Sequence, residues 1–212
     1  MLTTLLAMLF VLQGSATPTA SANGLVSADQ YIGHAEVYPG QIGIAAKRYE
    51  MSGTTIYGLG GIDVAVRAFR TPQEARAGVE IRRDFLLEGI PEGAGGIASF
   101  PDYGDLSVAI TAQSEDEDRR YDDGYLIVAQ GVLLFTWTAY ASPGTPIDDL
   151  HDLAEGFFPA PWDEYDSDDV ESLLAVLPPL DLMPTGMVLF DEAALITDGT
   201  PRPATPYASI VN

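Results

Sequence analysis

Ile62-Asp63-Val64-Ala65-Val66-Arg67-Ala68-Phe69-Arg70-Thr71-Pro72 is the stretch on which the fold turns. Its first eight residues alternate, with Ile62, Val64, Val66 and Ala68 on one side and Asp63, Arg67 and Phe69 on the other. A period of two marks a half-buried strand. The pattern then changes. Thr71 predicts an N-cap, Pro72 suits the first helical position, where an N–H has no helical partner anyway, and Glu74 lies three residues after the cap. Ala75, Val79, Arg82 and Leu86 fall near one stripe, Gly78, Ile81 and Phe85 lie beside it, and Gly89 is placed to end the helix. A strand feeding such a helix predicts a sheet beneath the stripe.

Upstream, Ile42 to Met51 reads as extended, and Gly58-Leu59-Gly60-Gly61 reads as a turn. That glycine run precedes a strand and not a helix, so it lacks the geometry of a phosphate cradle. Downstream, Pro91 to Tyr103 is a Gly- and Pro-rich loop, Leu106 to Ala112 a strand, and Ser114 to Asp123 a charged loop. Gly124 to Ala129 and Val132 to Tyr140 form a hairpin around Gln130-Gly131. The second of these strands is apolar on both faces, which predicts a central position. A second helix opens at Thr145-Pro146, with Ile147, Leu150, Ala154 and Phe157 on its apolar stripe. A short third helix runs from about Asp168 to Val176 and stops at Pro178-Pro179. Consecutive strands with short links predict antiparallel pairing. The expected class is α+β, an antiparallel sheet of about four to five strands with two main helices packed on it, plus a short C-terminal helix. The expected division is a signal peptide at 1–22, an α+β domain at 23–160, an acidic linker with the short helix and an extended segment at 161–199, and a disordered tail at 200–212.

The signal-peptide expectation rests on Leu5-Leu6-Ala7-Met8-Leu9-Phe10-Val11-Leu12. This short apolar run is followed by small residues, and Ala20-Ser21-Ala22 offers a cleavage site before Asn23. The expected location is secreted or extracytoplasmic, with no integral membrane anchor after cleavage, since no later segment is apolar for long enough to span a bilayer. There is no cysteine, which excludes disulfides, thiolate metal sites and thiol catalysis.

Charge is uneven along the chain. The formal net charge is −21. Asn23 to Pro101 holds seven basic and nine acidic residues, whereas Asp102 onward holds three basic and twenty-two acidic. Such a field repels nucleic-acid phosphates, so the expected partner is an unidentified protein or small molecule and no nucleic acid.

Catalytic constellations find no support. There are two histidines, His34 and His151, and no G-x-S-x-G elbow. His151 has Glu155 one helical turn on, but two ligands do not make a zinc site. The acidic runs Glu115 to Asp118 with Asp122-Asp123, and Asp163-Glu164 with Asp166, Asp168, Asp169 and Glu171, lack the glycine-bearing loop of a calcium site. No catalytic residue, metal or cofactor is therefore assigned. The local contrast is basic: Arg67, Arg70, Arg76, Arg82 and Arg83 cluster on the first long strand and its helix. Arg67, Arg70 and Arg76 are the candidate ligand-binding residues, for an anion or a carboxylate. The competing reading is pairing within the helix, Arg76 with Glu80 and Arg83 with Glu80.

Between Phe69 and Phe157 several motifs stand in a familiar order: Phe69-Arg70-Thr71-Pro72-Gln73-Glu74-Ala75, Gly104-Asp105, Gln130-Gly131-Val132, and Leu150 to Ala154. This layout resembles uncharacterised exported bacterial domains, often lipoproteins or the extracellular sensor-like parts of membrane proteins. Leu177 to Met187 looks like the segment that often introduces another such unit, with Met183 as an extra residue. The resemblance implies a fold and a location and no site residues. The expected function is an exported non-enzymatic domain binding a partner or small ligand at or outside the cell surface. The alternative is an extracellular carboxylate-dependent hydrolase, with or without a bound cation.

Overall fold

The computed structural model describes residues 28, 32, 35–52, 59–116, 119–141, 146–158 and 170–203. The expected signal peptide at 1–22 and most of the acidic run 163–171 lie outside them. Seven strands, β1 (Gln41–Met51), β2 (Leu59–Phe69), β3 (Gly95–Ala98), β4 (Leu106–Asp116), β5 (Arg119–Gln130), β6 (Leu133–Ala141) and β7 (Met187–Ile196), form one antiparallel sheet in the order β3-β4-β5-β6-β2-β1-β7. Three α-helices accompany it: α1 (Pro72–Gly89), α2 (Pro146–Phe157) and α3 (Val170–Ala175). Among the described residues no helix is long and apolar enough to cross a membrane.

The expectation of four to five strands is corrected to seven. One added strand, β3, lies inside the stretch that reads as a Gly- and Pro-rich loop, because Gly95 and Gly96 carry no side chain to show alternation. The other, β7, comes from the 161–199 stretch, expected to hold an acidic linker, a short helix and an extended segment outside the α+β domain. It pairs with β1 from Gly43 opposite Ile196 to Met51 opposite Met187, and it is an edge strand whose residues are mostly exposed, so the two-residue apolar rhythm is absent. Of the expected charged loop at Ser114 to Asp123, the residues up to Asp116 extend β4 and those from Arg119 open β5. The register sets Glu115 opposite Arg120 and Asp116 opposite Arg119. Leu59 to Gly61, expected in a turn, open β2. Beyond β7, Arg202 bridges Val37 through backbone bonds of 2.8 and 3.0 Å.

Two apolar layers hold the helices. β6 is fourth of the seven strands and is buried from Leu133 to Ala139. On one face Ile62, Val64, Val66 and Ala68 of β2 join Leu133, Phe135 and Trp137 of β6, packed under Leu150, Ala154 and Phe157 of α2 and Leu173 of α3. The Trp137 ring lies 5.1 Å from Phe157 and 5.4 Å from Phe158. Such aromatic contacts add to the burial energy, which is about 1.5–3 kcal/mol per fully buried large apolar side chain.

On the opposite face α1 covers Phe69, Ile110, Ile127, Ala129 and Leu134. Its start is as expected: the Thr71 hydroxyl accepts the Glu74 N–H (3.2 Å) and donates to Glu74 Oε2 (3.0 Å). Gly78 allows the close approach, since a Cβ there would stand 2.8 Å from Leu134 Cδ2. A separate apolar cluster of Ala28, Ile32, Ile44, Ala46 and Ala65 lies on the same face, further toward β1.

Candidate functional site

Between those two clusters the α1 face changes character. Along β6 the inward-facing residues run Leu134, Thr136, Thr138, Tyr140, from apolar to polar. Register places Thr136 beside Ala65, Thr138 beside Asp63, and Asp63 beside Arg48. The result is a cleft of ≈ 200 Å³ lined by Arg48, Asp63, Thr136, Thr138 and Tyr140 from the strands, Tyr125 from β5, Arg82 and Leu86 from α1, and Ala28, Ala46 and Ala65. A shallower groove of ≈ 400 Å³ continues from it past the shared Leu86 and Tyr125 to Phe85, Ile90 and Asp123.

The floor of the cleft is an ion pair. Arg48 Nε and Nη2 donate to Asp63 Oδ1 (2.6 Å) and Oδ2 (2.5 Å), the parallel geometry in which guanidinium and carboxylate match best. The Tyr140 hydroxyl donates to Asp63 Oδ2 at 3.0 Å. Burial of Arg48 disfavours its charge, and the Asp63 hydrogen bond and charge outweigh that, so its pKa is raised. Burial, and then the Asp63 charge, push the Tyr140 phenol well above its ordinary value. Burial and Asp123 push Tyr125 up to about 12, so its hydroxyl keeps its proton. Asp123 is itself raised to about 6, by burial and then by the neighbouring Asp122.

Two groups in this cleft are left over. Thr136 is 2% exposed, and its hydroxyl has no hydrogen-bond partner among the described residues. Arg82 Nε is likewise buried without a partner, and the guanidinium lies over the Phe85 ring at 5.2 Å. A buried polar group without a partner is costly, and native structures keep few of them.

The arginines singled out in the sequence are engaged by three different partners. Arg67 is buried, with its guanidinium 4.9 Å over the Tyr38 ring. Arg70 Nη2 donates to the Asp198 carbonyl at 3.1 Å. Arg76 Nη2 lies 3.7 Å from Asp105 Oδ1, not on Glu80; it is Arg83 that pairs with Glu80, and also with Asp84 at 2.7 Å. Of the arginine cluster, Arg82 is the one that faces the cleft together with Arg48, a residue the sequence reading passed over. Its signal was present: Arg82 occupies the apolar stripe of α1, between Val79 and Leu86, where a charge is out of place. Thr136 and Thr138 carried the same signal inside the apolar run of β6.

Elsewhere, His151 sits among Phe100 (5.5 Å) and Tyr103 (6.4 Å), with Nδ1 3.8 Å from Asp152. Among the described residues no group of three or more His, Asp or Glu side chains is placed to hold a metal ion.

No protein-family model matches the chain, and no curated protein does. Among solved structures, the extracellular domain of PknH from Mycobacterium tuberculosis is similar at 14% identity, over 53% of this chain and 61% of that one, with a TM-score of 0.39. The chain thus spans less than two thirds of that domain, and a superposition this loose does not establish a shared fold.

Proposed function

We propose that this is an exported binding domain that takes a small organic ligand in the cleft between α1 and the β1–β2–β6 floor, without chemical turnover. The observation that carries it is the Thr136 hydroxyl, buried at the cleft wall without a partner among the described residues, inside a strand that is otherwise packed. A second support is the setting. The cleft combines a few polar groups with apolar walls, the usual make-up of a small-molecule site. Asp63, the carboxylate on its floor, has both oxygens occupied by Arg48 and Tyr140, which suits a fixed scaffold better than an acid or base that must exchange protons. Export is supported by the residue order of Met1 to Ala22.

The test is a thermal-shift screen of a small-metabolite collection against the wild-type protein and Ala65→Leu, which fills the cleft. Binders should raise the melting temperature of the wild type by mass action and lose that effect in the filled variant. Binders that stabilise both proteins equally would remove the cleft from the account.

A further inference from the structure

We infer that the cleft selects a small monocarboxylate with an apolar body of about the size of a benzene ring, held by Arg82. This rests on the reading of the cleft as a ligand site and adds its charge and size. Charge is the first argument. Three cations border the cleft, Lys47, Arg48 and Arg82. Lys47 has Glu192 at 3.9 Å, and Arg48 has Asp63 in a two-bond pair. Arg82 has no carboxylate within ion-pair distance among the described residues, in a chain with 31 acidic side chains. Among the described residues its side chain rests on the Phe85 ring, which orients a guanidinium without neutralising it. Asp63 is a poor counter-charge for a cationic ligand, because Arg48 already neutralises it and three hydrogen bonds from Arg48 and Tyr140 engage its two oxygens.

Hydrogen bonding is the second argument. Thr136 is 2% exposed in the same cleft and its buried hydroxyl is without a partner among the described residues, so it offers a donor to an anionic oxygen. Size and polarity are the third. Ala46, Ala65 and Leu86 give apolar walls to a space of ≈ 200 Å³. A cavity of about 150 Å³ is enough for benzene, so a ring-sized body with one carboxylate fits.

The test uses three probes of one shape, benzoate, benzyl alcohol and benzylamine, titrated into the ¹⁵N-labelled protein. Benzoate should shift the amides of Tyr125, Thr136 and Thr138 saturably, benzyl alcohol at least tenfold more weakly, and benzylamine not at all. Arg82→Gln should weaken benzoate about tenfold and leave benzyl alcohol unchanged, and Arg82→Lys should restore part of the loss. Equal binding of benzoate and the alcohol, unaffected by Arg82→Gln, overturns the anion selectivity while the cleft remains a ligand site. Absence of any shift at those three amides with all three probes overturns both.

Discussion

Asp105 Oδ2 accepts the backbone N–H of Gly131 at 2.9 Å, tying the start of β4 to the turn between β5 and β6. The turn is a two-residue one, Gly131-Val132, with Gln130 opposite Leu133 and Gly131 at φ 58°. A glycine with positive φ at the first central position is what a II′ hairpin needs. The Asp105 N–H also donates to the Ala129 carbonyl at 2.7 Å, so this residue holds the hairpin from both sides. Asp105→Ala should therefore destabilise the protein by about 1–2 kcal/mol. Arg76→Ala, which removes only the exposed ion pair to the same carboxylate, should cost less than about 1 kcal/mol. Urea unfolding of the two variants reads the difference.

Arg48 and Asp63 give a larger effect. Arg48 is 6% exposed, so removing its partner strands a charge. Asp63→Asn should cost about 3 kcal/mol, and Arg48→Met with Asp63→Leu together much less, because no buried charge is left over. Tyr140→Phe loses one hydrogen bond and should cost about 1 kcal/mol. A double-mutant cycle by chemical denaturation checks all three.

Asp123 makes stability depend on pH. Its pKa of about 6 in the folded protein lies above the ordinary value. The folded state therefore binds more protons than the unfolded state between the two values, and stability falls as pH rises through that window. Above about pH 6 the penalty is constant. Asp123→Asn should remove this slope and stabilise the protein at pH 8 by about 1–2 kcal/mol after allowance for solvent screening of a partly exposed group. Melting curves of both proteins from pH 4 to 8 show it.

Thr136→Val should move stability and binding in opposite directions. The substitution replaces an unpartnered buried hydroxyl by a methyl group of the same shape, so the melting temperature should rise by about 2–4 °C. Ligand affinity should drop, because a donor in the cleft is lost. A variant that is destabilised would mean the hydroxyl is bonded in the folded protein.

The parts of this fold that were legible in the sequence are those where burial imposes a period. β2 alternates because Ile62, Val64, Val66 and Ala68 enter one apolar core while its other face carries Asp63 into the cleft, and α1 announces itself through Thr71, Pro72 and its stripe. β6 reads as central because it is covered on both sides. β7 was not legible for the converse reason. Val188, Leu189 and Phe190 are all exposed on a sheet edge, and the ladder slips between Arg48 and Tyr49, so no single register imprints a pattern. The cleft was half legible. Arg82 broke a stripe in plain view, but its meaning depends on Thr136 and Asp63, which only the strand register brings beside it. Arg67, Arg70 and Arg76 stood out by proximity in sequence, and proximity along a strand and a helix does not make side chains converge.

The pairing of β1 with β7 has a consequence for folding. Ile44 meets Leu195 across the sheet, so β1 stays open on one side until β7, which follows the other six strands in sequence, is in place. Contacts so distant in sequence form slowly, because a long loop must close before they gain anything. β7 thus acts as a late latch, and until it docks the β1 backbone is an open edge on which another extended segment could pair.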